Sequence, residues 1–162
     1  MTIAGCSASI MGLFARGLPA ALLAQSDVEL RLLSGAQAVT EARPILGILP
    51  YQTVPDAVAR SRPPSSRDGR GGVPLPLRIA YLVALWGEAP AALEQALIDA
   101  CLHLVEDQPF LTGAALAEGH VWHTDASIRL SLDPLAPDAL TGLWRALGQP
   151  MRLALPLSAL VA

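Results

Sequence analysis

An α+β fold, a single mixed and largely antiparallel β-sheet with about three helices packed on it, is what three observations in this sequence predict. Apolar and polar residues alternate with strand period over residues 28–32, 75–86 and 127–132. Apolar residues recur at helical spacing over residues 93–104 and 140–147. The chain has 162 residues, 52% of them hydrophobic, enough for one well-buried core and too few for two, so residues 1–162 are expected to form one domain.

Taken in order, the first expected element is a helix within residues 2–25, which are nearly all apolar. Arg16 lies inside this stretch, Pro19 interrupts it and no basic segment precedes it, so it fits a helix buried in a core or between subunits better than a membrane span or signal peptide. Residues 28–32 then read as a strand with one face buried, and the short apolar run Ile45-Leu46-Gly47-Ile48-Leu49 between Pro44 and Pro50 reads as a second. Residues 54–74 change character: Arg60, Arg62, Arg67 and Arg70 stand among prolines, serines and glycines, the composition of a long loop that is either a solvated connection or a segment that orders on a partner.

Residues 75–86 give the clearest strand. Leu75, Leu77, Ile79, Tyr81, Val83 and Leu85 share one face, and Arg78, Ala80, Leu82, Ala84 and Trp86 make the other, which predicts a central strand covered at least partly on both sides. Pro90 suits a first helical position, and Leu93, Leu97, Cys101 and Leu104 form the buried stripe of a helix ending before Pro109. Residues 127–132 alternate strictly, so one side of that strand is wet or faces a partner, and Asp133-Pro134 turns it. Pro137 opens the next helix, on which Leu140, Leu143, Trp144 and Leu147 form one stripe and Gly148 supplies a left-handed stop. Over residues 151–161, Met151, Leu153, Leu155 and Leu157 share a face, while Pro156 predicts an edge strand, a bulge or a break.

The charge pattern narrows the function classes. Only 15% of residues are charged, the net charge is −3, and every base is arginine, a pattern that fits burial against other subunits and equally a bias toward arginine codons. No global field draws the chain to nucleic acid, and the arginine-rich loop has no aromatic residue for base stacking, so no nucleic-acid partner is expected. Cys6 and Cys101 lie far apart and read as buried thiols of a reducing compartment rather than a disulfide scaffold.

A search for chemistry yields no catalytic residue, no metal ligand set and no cofactor motif. His120 and His123 fall on opposite sides of an extended chain, and the stretch around them reads as a turn before the strand at Ser127. Cys101 and His103, two apart on a helix, do not face each other. A phosphate-binding glycine loop, a dinucleotide fingerprint and a nucleophile elbow are all missing from the sequence. The expected role is therefore structural, not enzymatic.

Three segments in order carry a family resemblance: the apolar strand from Ile45 to Tyr51; the arginine- and proline-rich loop at Arg60 running into Leu75-Pro76-Leu77-Arg78-Ile79-Ala80-Tyr81; and a C-terminal block, in which Leu132-Asp133-Pro134-Leu135 precedes Leu140-Thr141-Gly142-Leu143-Trp144-Arg145-Ala146-Leu147-Gly148 and Met151-Arg152-Leu153. Together they resemble the cap, or tail-terminator, protein family of phage-tail-like contractile injection systems, over nearly the whole chain. The resemblance implies a homohexameric ring on the end of an inner tube and outer sheath, stopping polymerisation of both and holding them in register. It implies self, tube and sheath partners, and a cytoplasmic location within an assembled particle. Arg60, Arg62, Arg67, Arg70, Arg78 and Arg152 are the candidate interface residues, and Tyr81, Trp86, Leu140, Leu143, Trp144, Leu147 and Gly148 the candidate structural core. The chain stops directly after its closing strand, so a C-terminal arm that clasps the sheath is expected to be short or absent. The alternative is a membrane-proximal adaptor anchored through the apolar N-terminal segment.

Overall fold

The computed structural model describes residues 3–35, 43–56 and 76–161. In chain order these form α1 (Ile3–Gly17), α2 (Ala20–Ala24), β1 (Glu29–Leu32), β2 (Ile45–Pro55), β3 (Leu77–Trp86), α3 (Ala91–Asp107), β4 (Phe110–Thr112), a 3-10 turn (Gly113–Ala115), β5 (Ser127–Leu132), α4 (Pro137–Ala146) and β6 (Ala154–Val161). The strands make one six-stranded sheet in the order β1-β2-β3-β6-β5-β4. Its β1–β2 pairing is parallel and the other four are antiparallel, the mixed α+β arrangement that the alternating segments predict.

β3 is central, as its two apolar faces require. Ile79, Tyr81, Val83 and Leu85 enter the larger core, where the front face of the sheet meets Ile10 and Phe14 of α1 and Leu97 and Cys101 of α3. Leu82, Ala84 and Trp86 enter a smaller core on the back face, beneath Trp144 of α4. One strand thus feeds two layers, and no residue of its second half is left to solvent.

Several boundaries differ from the sequence reading, each for a local reason. The N-terminal apolar stretch is not one helix: α1 stops at Gly17, and Pro19, which lacks an N–H and cannot continue the ladder, becomes the extended N-cap of α2. Cys6, Ile10, Leu13 and Phe14 of α1 are buried against the sheet, so this segment is part of the core. Among the described residues no helix is long and apolar enough to cross a membrane. Pro90 is the N-cap of α3 rather than its first residue.

β2 runs past Tyr51 to Pro55, so Val54 and Pro55 belong to a strand and not to the loop; the rest of that predicted loop, residues 57–74, lies outside the described residues. Register shifts between Pro50 and Gln52, leaving Tyr51 as the extra residue of a bulge. The carbonyl of Ile48 accepts from Leu33 N–H on the β1 side, so Pro50, two residues on, turns its missing donor to the same side, beyond the end of β1. Asp56 N–H donates to Pro76 O across the β2–β3 end, so Pro55 likewise turns its donorless nitrogen away from β3. Both prolines therefore face the outer edge of β2.

The closing strand also departs from expectation. β6 starts only at Ala154, so Met151 and Leu153, although they share the alternation, precede the strand and are 60% and 46% exposed. Pro156 does not mark an edge, a bulge or a break, because β6 lies between β3 and β5 and runs unbroken. The β5–β6 ladder ends at Leu132↔Leu157, and Asp133 N–H closes it by donating to Pro156 O at 3.1 Å. The missing N–H of Pro156 points to the same side, where β5 has already turned away.

Candidate assembly interface

Of the predicted core residues, Tyr81 lies in front of β3 and Trp86, Leu140, Leu143, Trp144 and Leu147 behind it, whereas Gly148, at the end of α4, is exposed. On the back face, Trp86 and Trp144 are 3% and 1% exposed, with ring centroids 5.0 Å apart and planes tilted by 50°. Leu140, Leu143 and Leu147 flank them, partly buried. Gly47 on β2 allows this packing, because a Cβ there would collide with the Trp86 indole and with Leu33. α4 ends as predicted: Gly148 has φ of 64°, its N–H bonds Arg145 O, and Gln149 N–H bonds Trp144 O, the paired contacts of a left-handed helix stop.

On the front face Tyr81 is fully buried, and its hydroxyl shares a 3.0 Å hydrogen bond with Ser7 Oγ of α1. Burial raises this hydroxyl far above the ordinary phenol range. It also pushes the Cys6 thiol up to about 11 and the Cys101 thiol up to about 12, so both stay neutral and poorly nucleophilic near neutral pH. Ser9 Oγ accepts from Ala117 N–H at 2.8 Å, fastening the segment before β5 onto α1.

That segment contains the histidine cluster. Trp122 Nε1 donates to Ala117 O at 2.9 Å and the ring meets His120 edge-on, so the stretch is a folded turn as predicted. It lines a shallow recess of about 330 Å³ with Leu116, His123 and Thr124. Among the described residues no three His, Cys, Asp or Glu side chains gather to hold a metal ion.

The candidate interface arginines separate into three kinds. Arg60, Arg62, Arg67 and Arg70 lie outside the described residues. Arg78 stands on the back of β3, 48% exposed, with one amine 3.0 Å from the buried carboxylate of Asp56. Arg152 donates to Leu85 O at 3.1 Å and to Gly87 O, tying the chain before β6 to the end of β3.

Register brings further residues into line with Arg78. Val54, Arg78, Leu160, Arg129 and Phe110 form one cross-strand row over β2, β3, β6, β5 and β4. Val54 is 39% and Phe110 60% exposed, and Arg129 is exposed with no ionic partner among the described residues. Sequence reasoning placed Arg129 on the wet side of its strand but singled out neither it nor Phe110. The alternation showed the side, whereas membership of the row depends on pairings between strands far apart in sequence.

A mixed six-stranded sheet, covered by helices on one face and half covered on the other, defines an α+β packing module. The chain belongs to the family described as the Pvc16 N-terminal domain, whose model matches residues 6–162. Two solved structures share its fold. One is the sheath/tube terminator of an extracellular contractile injection system, PVC, in the extended state, with a TM-score of 0.66, 16% identity, and coverage of 99% of this chain and 56% of that one. The other is the tube-terminating cap of the anti-feeding prophage, with a TM-score of 0.66, 15% identity, and coverage of 99% and 54%. The chain therefore spans little more than half the length of either. No curated protein matches it in sequence.

Proposed function

We propose that this chain is a structural subunit that caps the end of the inner tube and sheath of a contractile injection particle, terminating their growth and holding the two in register. The observation that carries this reading is family membership over residues 6–162, joined to whole-chain likeness to a sheath/tube terminator and a tube-terminating cap. Its role is not enzymatic. Both thiols are buried with raised pKa values, so neither is a ready nucleophile near neutral pH, and the histidine stretch serves as a packed turn. Copies of the chain associate as a closed ring, six being the number that the family resemblance implies, and the ring meets tube and sheath within the assembled particle.

The arginine-rich segment is the proposed electrostatic dock. Arg60, Arg62, Arg67 and Arg70 concentrate positive charge in a chain whose net charge is −3, and Arg78 lies two residues beyond Pro76, where the described chain resumes. Arg152 lies at the other end of β3, held to Leu85 O and Gly87 O, and belongs to a separate part of the surface. Co-assembly with the tube and sheath proteins at low and high salt tests the reading. Replacing the four loop arginines with serine should leave folding intact and weaken capping, and the parent's capping should itself weaken as salt screens the contact. Unchanged capping by the folded quadruple variant would reduce the segment to a spacer, and failure of the parent to cap either polymer would overturn the function.

A further inference from the structure

The row across the open back of the sheet has a matching pattern elsewhere on the same molecule. Arg78 and Arg129 stand two strands apart with Leu160 between them, so their Cα atoms are about 10 Å apart. On the exposed side of α3, Asp99 and Glu106 are seven residues apart on one stripe, about 10.5 Å along the helix. His103 approaches Asp99 at 3.5 Å, but both are about 70% exposed, so water and salt screen the pair and leave the carboxylate available. The bases lie on the back of the sheet and the acids on the helix that covers its front.

Association by strand pairing is disfavoured at both edges. At one edge β1 has only four residues and β2 beyond it carries the donorless nitrogens of Pro50 and Pro55, and at the other edge β4 has only three residues. The faces remain. We propose that α3 of one copy docks along this row on the back of the next, with Asp99 and Glu106 meeting Arg78 and Arg129, and the apolar ends of the row, Val54 and Phe110, meeting the helix beyond the two acids. The two surfaces differ, so the contact is head-to-tail, and repetition through a closing rotation yields a ring. This inference deepens the proposed function and rests on its reading of a self-associating cap.

Self-association of the full chain, measured by sedimentation at low and high salt, provides the test. Arg129→Glu and Glu106→Arg should each weaken association about tenfold or more, and the double variant should recover most of the loss, because it restores opposite charge at one contact. Phe110→Ala should weaken association without altering its salt dependence. Should Arg129→Glu misfold by circular dichroism, Arg129→Gln, which keeps size and polarity, carries the same expectation in smaller measure. Association unaffected by the single changes, or a double variant no better than the singles, would overturn the docking mode. So would loss of tube capping by Arg129→Glu with self-association intact, which would assign the row to a foreign acidic partner. Intact parent capping beside any of these results leaves the proposed function standing, whereas charge-swap rescue in a chain that caps nothing would sink that function and keep the interface.

Discussion

The two faces of the sheet do different work with the same strands. The front is covered from β2 to β5 by α1 and α3, and its residues Ile48, Tyr81, Leu157 and Ile128 are fully buried. On the back, α4 covers only the end where Ile45, Leu82 and Trp86 lie, while Arg78, Arg129 and Phe110 at the other end stay exposed. Folding needs the whole front and half the back. The remaining half carries Arg78, Arg129, Val54 and Phe110 beside exposed polar side chains such as Gln52, Ser131 and Thr112.

Trp144→Ala should produce the largest effect, because it removes the side chain on which the covered half of the back depends. A loss of about 3–5 kcal/mol is expected from truncating a fully buried tryptophan, read as a shift in the denaturant midpoint. A midpoint equal to the parent's would mean that α4 is a removable lid and that the whole back is open. Tyr81→Phe probes the front: it leaves Ser7 Oγ buried beside a ring without a hydroxyl, and a loss of about 1–2 kcal/mol is expected. If Tyr81→Phe were neutral, α1 would be held to β3 by apolar contact alone. Arg129→Ala should change stability least, within about 0.5 kcal/mol, since the side chain is exposed and makes no bond among the described residues. A larger loss there would mean that the open half is needed for folding, and the contrast between the two ends of the back would fail.

The pattern in the sequence was most informative where one element decides its own geometry. β3, β5 and the stripe and stop of α4 follow from alternation, from i, i+3, i+4, i+7 spacing and from a glycine placed where the helix must turn left. Elements whose character depends on a neighbour were less legible. Val54 and Pro55 look like loop because they are an exposed strand edge, and three-residue β4 is too short to show a period. Pro156 suggested an edge because nothing local reveals that β5 ends one residue before it would need the missing N–H. The split of helices between front and back, and with it the row from Val54 to Phe110, depends on pairing order, which sequence spacing does not encode.

The prolines on the outer edge of β2 bear on what happens when many copies are crowded together. A bare strand edge is a template on which identical chains can stack by main-chain hydrogen bonding, the first step toward amyloid-like fibres and strand exchange. At Pro50 and Pro55 an incoming strand would find a ring where it needs a donor, so a pairing that began at Thr53 would be interrupted on both sides. Self-pairing along this stretch of β2 is thereby hindered, and the hindrance requires no charged residue at either proline position.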